Sequence, residues 1–403
     1  MKSGALLPLE TALEQILAHA PAPPPTERLS SARSLLRILA QDLDAQLNVP
    51  PQDNSAMDGY ALRSVDAGQV LRVSQRVAAG DVPEPLARGT AARIFTGALL
   101  PEGADAVVMQ EDCEVGDSGV RVPVHVASGQ HVRRRGQDCH RGDTLLQAGR
   151  LLRPQDMGLL ASQGLLELSV YRPLRVALLC TGNELREVGS GALGPGEIYN
   201  SNRPMLMAML GALGCEVLDL GIVPDTAEAT ADALRRAAAD ADVIISCGGV
   251  SVGEADYVRG EVAKLGEITL WRIAIKPGKP FAFGRVGQVP FLGLPGNPSS
   301  AFVTFLLLAR PFLCAAQGRR ESAPFRLQGV AGFAVERPAT RTDYQRVQLE
   351  QVGAELIARP YRNQSSGILH SLTASHALAV IPAGSTLLEG DAVELLLLDS
   401  LLF

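Results

Sequence analysis

The chain has 403 residues and a mass of 42.6 kDa, which is too long for one compact core and about right for two to four domains. Hydrophobic residues make up 46% and charged residues 20%, so the chain can form cores and is not a disordered tail. Its formal net charge is −6, whereas nucleic-acid-binding proteins usually carry a positive charge that attracts phosphates, so no nucleic-acid partner is expected.

Hydropathy and cysteine spacing exclude further classes. The longest apolar runs, such as 302–309, are much shorter than the roughly 20 residues of a membrane helix, so no membrane partner is expected. The first ten residues are too weakly apolar for a signal peptide, and a cytoplasmic protein is expected. The cysteines are too widely spaced, and the histidines too scattered, for a zinc or histidine metal site. Cys180, Cys215 and Cys247 lie in or beside apolar runs and are interpreted as small buried hydrophobic residues.

The amino-terminal part of the chain alternates between helical and β patterns. Residues 6–19 have the apolar spacing of a helix, which the proline-rich stretch at 21–25 ends. Residues 27–47 predict a second helix with three leucines on one side. Between 51 and 139, short β-like runs alternate with turns, which is typical of a compact β module. Residues 140–172 connect this module to the rest of the chain.

From residue 173 the pattern becomes alternating strand and helix. The apolar runs 174–180, 215–221 and 242–247 predict strands buried on both faces, each followed by a polar loop and a helix. A further strand, a hairpin and a helix from Pro298 to about Cys314 complete a doubly wound, mainly parallel α/β domain. Short strands then predict a small β barrel or sandwich. The predicted domains are 1–50 with 140–172, 51–139, 173–321 and 322–403.

Polar loops follow each strand of the predicted α/β sheet. Glu184 follows the first strand, Asp225 the second and Asp256 the third. The fourth strand is followed by the loop 276–280, and the hairpin by the loop 294–298. Ligands of open α/β sheets bind at the carboxyl ends of the strands, and five such loops on one edge predict a pocket there.

These loops carry the residue types that bind phosphate and a divalent cation. The glycine-rich loop 248–253 allows backbone N–H groups to approach an anion, and Ser251 adds a hydroxyl donor. The loop is neither a Walker A motif nor a dinucleotide fingerprint. Only four lysines occur in the chain, and Lys276 and Lys279 lie together in a rigid Lys-Pro-Gly-Lys-Pro loop. The carboxylates of Glu184, Asp225 and Asp256 are oxygen ligands of the kind that Mg²⁺ prefers.

The same residues have structural interpretations that the sequence leaves open. Asp225 fits the N-cap of a helix, Asp256 a cap or an ion pair, and Glu184 a solvated loop charge. In the β module, Asp58 precedes a glycine and fits an ordinary turn. The basic run at 133–138 fits either a solvated face or an anion contact.

Taken together, the motifs resemble the molybdopterin molybdenumtransferase family of the MoeA type, to which the carboxy-terminal domain of gephyrin also belongs. The resemblance covers nearly the whole chain and rests on the segments 55–62, 94–112, 133–138, 181–185, 198–206, 248–258, 276–284 and 294–302. It implies an elongated amino-terminal region, a β insertion domain, a molybdopterin-binding α/β domain and a carboxy-terminal β barrel.

The resemblance also implies an activity. Members of this family insert molybdate into adenylylated molybdopterin and release AMP, with Mg²⁺ as the usual divalent cation. A homodimer is implied, in which each pocket lies between the α/β domain of one subunit and the β insertion of the other. A transient contact with the molybdopterin adenylyltransferase is expected.

The functional residues follow from the same resemblance. Catalytic roles are expected for Asp58, Glu184, Asp225, Asp256, Lys276 and Lys279, and metal binding for Glu184, Asp225 and Asp256. Substrate binding is expected for Thr96, Asp138, Gly248, Gly249, Ser251, Gly253, Pro295, Pro298, Arg346 and Ser366.

Two other functions remain open at this stage. An adenylyltransferase that makes the adenylylated pterin would share the α/β module but would not need the flanking β domains. A scaffold or carrier would bind the finished cofactor without turnover.

Overall fold

The computed structural model describes residues 6–250, 257–320 and 324–402. The amino-terminal region and the β insertion together run to Tyr171. In chain order their elements are α1 (Leu9–Leu17), β1 (Thr26–Ser30), β2 (Leu43–Asp44), β3 (Asn54–Ser55), β4 (Gly59–Leu62), β5 (Val70–Val77), β6 (Thr90–Ile94), β7 (Ala106–Met109), β8 (Glu114–Gly116), β9 (Gly119–Arg121), β10 (Val132–Arg133), β11 (Thr144–Leu146), α2 (Pro154–Ser162) and β12 (Glu167–Tyr171).

The helix predicted over residues 27–47 is wrong. These residues form β1, a short 3₁₀ turn and β2, and β1 pairs antiparallel with β12. Leu36 has a φ of 60°, a left-handed conformation that no α-helix continues through. The Arg37 guanidinium donates to the backbone oxygen of Tyr171 at 2.7 Å, which holds the segment against β12. Pairing with a strand distant in sequence therefore overrides the local leucine spacing.

The β insertion is a sheet of strand order β7-β4-β6-β5-β9-β8, in which β5 and β6 are parallel. Short antiparallel pairs, β3 with β10 and β2 with β11, lie where the chain enters and leaves this module. Asp58 lies in the turn between β3 and β4, and Thr96 lies just beyond the end of β6. Because β4 and β6 are neighbours in the sheet, these two residues meet at one edge.

The α/β domain follows the predicted pattern. Its sheet has the order β16-β13-β17-β21-β20-β18, with β16, β13, β17 and β21 parallel and β20 antiparallel to both of its neighbours. Apolar clusters cover both faces of this sheet, which confirms the doubly wound, mainly parallel fold. The elements are β13 (Arg175–Thr181), β14 (Leu185–Arg186), β15 (Ile198–Tyr199), α3 (Asn202–Ala212), β16 (Glu216–Val223), α4 (Ala227–Asp240), β17 (Val243–Cys247), α5 (Tyr257–Leu265), β18 (Gly266–Arg272), β19 (Ile275–Lys276), β20 (Pro280–Val286) and β21 (Val289–Leu294).

One long apolar helix closes this domain. It runs from Pro298 to Ala316 as α6 (Pro298–Thr304), a π-helical turn (Phe305–Ala309) and α7 (Arg310–Ala316). Among the described residues it alone is long and apolar enough to cross a membrane, which the apolar run at 302–309 did not indicate. The protein buries 94% of its most apolar window, so the helix packs as part of the core.

The carboxy-terminal strands form a barrel rather than a sandwich. Their order is β23-β24-β22-β26-β25, and pairing of β25 with β23 closes the sheet. Strand β19 of the α/β domain pairs parallel with β23, which joins the two domains. The elements are β22 (Arg326–Ala331), β23 (Thr342–Val352), β24 (Glu355–Pro360), α8 (His370–Thr373), β25 (Ala377–Ile381), β26 (Ala392–Leu397) and α9 (Leu398–Leu402). The domain boundaries given above stay predictions.

Candidate functional site

A cleft of about 780 Å³ opens at the carboxyl edge of the α/β sheet. The loops that follow β13, β16, β17 and β21 line it, as expected where parallel strands end together. The turn before α3 and a loop of the barrel complete the wall. The cleft brings together six of the predicted residues, namely Glu184, Asp225, Gly248, Gly249, Pro295 and Pro298.

Two carboxylates, those of Glu184 and Asp225, line the cleft close enough for their charges to interact. Asp225 is half-buried, and its Oδ2 accepts the backbone N–H of Asn183 at 3.1 Å. Burial raises the pKa of Asp225, and the negative charge of Glu184 raises that pKa further. Thr226, not Asp225, caps α4, because its Oγ1 accepts the N–H of Ala229 at 3.2 Å. The interpretation of Asp225 as only a helix cap is therefore wrong.

The chemistry of this pair fits Mg²⁺. Across the described ranges, no group of three or more His, Cys, Asp or Glu side chains is placed to hold a metal ion. Mg²⁺ in nucleotide enzymes is commonly held by one or two carboxylates, with waters and substrate phosphates as the other ligands. Glu184 and Asp225 meet that requirement. Asp256, Ser251 and Gly253 lie outside the described residues, so their roles stay predictions.

Glycine is required at the start of the loop that follows β17. Gly248 has a φ of +90°, and a Cβ there would lie 2.6 Å from the backbone oxygen of Thr181. Gly249 has a φ of +67°, and its Cβ would lie 2.4 Å from Val258 Cγ2. The N–H of Gly248 donates to the backbone oxygen of Leu294 at 3.1 Å. These glycines let the backbone cross close to β13.

The two lysines of the 276–280 loop have different surroundings. Lys276 Nζ donates to Asp343 Oδ2 at 2.9 Å, so Lys276 joins the α/β domain to the barrel. Lys279 is exposed, and within the described part of the chain no carboxylate forms an ion pair with it. Pro280, the next residue, lines the cleft. Of the two, Lys279 is the one whose charge is available to an anion.

Hydrogen bonds of Arg346 and Ser366 hold in place a barrel loop that reaches the cleft. Arg346 is only 1% exposed, and it donates to Ser371 Oγ and to the backbone oxygen of Ser365, both at 3.1 Å. The backbone oxygen of Ser366 accepts the N–H of Ser299, at the start of α6, at 3.0 Å. Gly367 lines the cleft, whereas Arg346 and Ser366 do not. Their predicted contact with an oxyanion stays a prediction.

The predicted residues of the β insertion lie elsewhere. Asp58 Oδ1 accepts the N–H and the hydroxyl of Thr96 at 2.8 and 2.7 Å. These hydrogen bonds lower the pKa of Asp58. Asp138 is exposed in the loop after β10. Among the described residues, none between 51 and 139 lines the cleft, so the fold of one chain does not bring these residues to it.

Several other lining residues were not predicted. Thr181, Asn200 and Asn202 are almost wholly buried in the cleft wall. Thr181 Oγ1 and Asn202 Oδ1 have no hydrogen-bond partner among the described atoms, while Asn202 Nδ2 donates to the backbone oxygen of Gly296 at 2.6 Å. Buried polar atoms without a partner suit a polar ligand. The signal in the sequence that could have identified the two asparagines is the Asn-Ser-Asn motif at the start of α3. It was not decisive, because asparagine is also common where helices begin.

This architecture defines a class, an α/β protein with flanking β domains and a cleft at the carboxyl edge of its sheet. Three family models match the chain in succession. They are described as "MoeA N-terminal region (domain I and II)" over residues 7–164, "Probable molybdopterin binding domain" over 177–315, and "MoeA C-terminal region (domain IV)" over 328–398. The chain belongs to the MoeA family.

Curated relatives and solved structures agree with that assignment. A molybdopterin molybdenumtransferase of Haemophilus influenzae is 42% identical over 346 residues, covering 85% of each chain. One of Synechococcus elongatus is 36% identical and covers 96% of this chain and 99% of its own. The crystal structure of a molybdopterin biosynthesis MoeA protein from Pyrococcus horikoshii OT3 is 28% identical, with a TM-score of 0.84, and covers 98% of this chain and 100% of its own.

The raised pKa of Asp225 predicts that this carboxylate destabilises the metal-free protein. Asp225→Asn keeps an acceptor for Asn183 but removes the charge that Glu184 repels. We expect it to unfold less readily than the parent at pH 7 in chelator, by up to about 1 kcal/mol. The extra stability of Asp225→Asn over the parent should shrink as the pH falls through the raised pKa of Asp225, and vanish below the ordinary aspartate pKa of 3.8. Thermal unfolding of the parent and the variant across this pH range measures the difference in stability.

Asp219→Asn is the matched control with the opposite sign. Asp219 accepts two hydrogen bonds from Arg203, and these hydrogen bonds lower its pKa. Its loss should therefore destabilise the protein at pH 7. An Asp225→Asn protein that is no more stable than the parent in chelator would contradict the raised pKa of Asp225, which burial and the charge of Glu184 produce together.

Proposed function

We propose that this protein inserts molybdate into adenylylated molybdopterin, in a reaction that depends on Mg²⁺ and releases AMP. As a member of the MoeA family, with curated relatives named molybdopterin molybdenumtransferase, it is a transferase of molybdenum cofactor biosynthesis. The observation that carries the finer proposal is the Glu184–Asp225 carboxylate pair, in the lining of a cleft whose wall has buried polar atoms without a partner in the described part of the chain.

Each group at the cleft has a part in this reaction. Glu184 and Asp225 would hold Mg²⁺, which when bound supplies positive charge to neutralise the substrate phosphates. Lys279 attracts the incoming molybdate, because it is exposed beside the cleft and has no ion pair among the described residues. Thr181 and Asn202 offer hydrogen bonds to a polar edge of the substrate. Cleavage at the adenylate phosphorus then depends on positioning and charge neutralisation.

We propose further that two copies of the chain share each site. Asp58 and Thr96 form a hydrogen-bonded pair on the β insertion, and no described residue of that module reaches the cleft of its own chain. A two-fold dimer brings the insertion of one chain to the cleft of the other. In the cytoplasm this dimer would receive its substrate from the molybdopterin adenylyltransferase by a transient contact.

The proposed reaction is tested by measuring AMP release and its dependence on molybdate and on Mg²⁺. Purified protein with adenylylated molybdopterin should release AMP only when molybdate and Mg²⁺ are both present. Chelator should abolish release, because the two carboxylates would then repel the substrate phosphates, and added Mg²⁺ should restore it. Chromatography of the nucleotides measures the release. Binding of the finished cofactor without AMP would indicate a carrier, and full activity in excess chelator would contradict the metal assignment.

Lys279→Ala should impair the response to molybdate without unfolding the protein. Loss of one charge-assisted contact to a bound anion costs about 1.5–3 kcal/mol, or roughly 10- to 150-fold in molybdate-dependent AMP release. Lys264→Ala is the matched control. Lys264 is one of the other lysines; it is exposed, and its Nζ pairs with the buried Glu261 of α5 at 2.6 Å. If AMP release by the two variants depends on molybdate in the same way, Lys279 does not contact the molybdate.

The shared site predicts complementation between inactive variants. Asp58→Ala and Lys279→Ala chains, unfolded and refolded together, should form about half heterodimers. One site of each heterodimer would carry both lesions and the other none, so roughly a quarter of the parent activity should return. Mass spectrometry of differently tagged chains confirms the heterodimers. If heterodimers form and activity does not return, Asp58 and Lys279 act within one chain.

A further inference from the structure

Two thiols lie side by side in the wall of the cleft, where no role has been assigned to them. Cys180 lies near the end of β13 and Cys247 at the end of β17, and the parallel register places them directly opposite each other. Their side chains are 1% and 3% exposed, and both line the cleft. Their wide separation in sequence gave no sign of this contact.

The surroundings of the two thiols shift their pKa values in opposite directions. The Cys247 Sγ donates to the backbone oxygen of Pro295 at 3.5 Å. The neighbouring Cys247 side chain lowers the pKa of Cys180 although burial opposes the shift. The Asn200 side chain and the positive charge of Arg203 lower that pKa further. The same contact raises the pKa of Cys247, whose sulfur also accepts Asn202 Nδ2 at 3.2 Å. Of the two neighbouring thiols, Cys180 is therefore the more acidic.

Burial alone does not produce this arrangement in the same chain. Cys215 and Cys314 are also close enough to interact, and both lie away from the cleft. Burial raises the pKa of Cys215 to about 12 and also raises that of Cys314. All four cysteines fit the small hydrophobic role that the sequence predicted, since Cys180, Cys247 and Cys314 belong to the apolar core and Cys215 packs against it. Cys180 and Cys247 differ from the other two because they also line the cleft.

We propose that Cys180 and Cys247 form a peroxide-reactive dithiol site, in which Cys180 attacks and Cys247 resolves. The Cys180 thiolate attacks one oxygen of hydrogen peroxide, the O–O bond breaks, and the departing hydroxide takes a proton from solvent to become water. The Cys247 sulfur then attacks the Cys180 sulfenic acid, forms the S–S bond and gives its proton to the departing hydroxide. Two thiols and one peroxide yield one disulfide and two waters.

The cleft is the route by which a small neutral peroxide reaches these buried sulfurs. Both strands end at the pair, and the loops that follow them carry Glu184 and the glycines of the cleft. A disulfide would draw these strand ends together and displace both loops. Oxidation should therefore suppress AMP release, a consequence that rests on the proposed function, whereas the oxidation chemistry itself does not.

The test uses the full-length reduced protein, hydrogen peroxide and mass spectrometry. The parent should lose about 2 Da and yield a peptide pair linked through Cys180 and Cys247, which dithiothreitol reverses. Cys247→Ser should trap the sulfenic acid, seen as a dimedone adduct at Cys180. Cys180→Ser should give at most on the order of a tenth of that adduct at Cys247. The double variant Cys215→Ser, Cys314→Ser should form the linked peptide at the parent rate.

Three results would overturn the proposal, provided that circular dichroism shows each variant folded. The first is a parent protein without the linked peptide at a peroxide dose that oxidises its half-buried Cys113. The second is equal dimedone labelling of the two single variants. The third is a dimedone adduct at Cys180 in the parent itself that never proceeds to the disulfide. A normal disulfide with unchanged AMP release would leave the dithiol site in place and contradict only its link to the proposed reaction.

Discussion

In-register parallel pairing of β13, β17 and β21 is the constraint on which the rest of the site depends. Cys180 lies opposite Cys247, and Cys247 lies opposite Leu294, so the three strands end at one level. Strand β17 is buried along its whole length, and a slip of one residue would turn core side chains toward the wrong face. The core therefore sets the positions of the loops that carry the carboxylates, the glycines and the cleft prolines.

The carboxy-terminal barrel holds this edge in place from outside the sheet. Pairing of β19 with β23, and the ion pair of Lys276 with Asp343, attach the lysine loop to the barrel. Arg346 braces the loop that rests on the start of α6. Both cations contribute by positioning backbone near the cleft, whereas Lys279 is exposed and has no ion pair among the described residues. The barrel is thus part of the site's construction.

The cleft concentrates groups that cost stability when no ligand is present. Glu184 and Asp225 repel each other, and Thr181 and Asn202 have buried polar atoms without a partner among the described residues. Such conflicts between local stability and arrangement occur at functional sites, where bound ligands satisfy the unpaired groups. Elsewhere in the α/β domain the carboxylates of Asp219 and Asp242 are paired with arginines.

The sequence by itself determined the α/β domain and the loops that form its pocket, because strand and helix periodicity is local and parallel strands must end at a common edge. It also determined the family, because several motifs match together. Tertiary structure decided what depends on long-range contacts. Residues 27–47, predicted to be helical, instead contain β1, which pairs with β12. Thr226, and not Asp225, caps the amino terminus of α4, which leaves the Asp225 carboxylate at the cleft. Only the folded sheet placed Cys180 against Cys247, since their contact follows from strand register and not from their spacing in the chain.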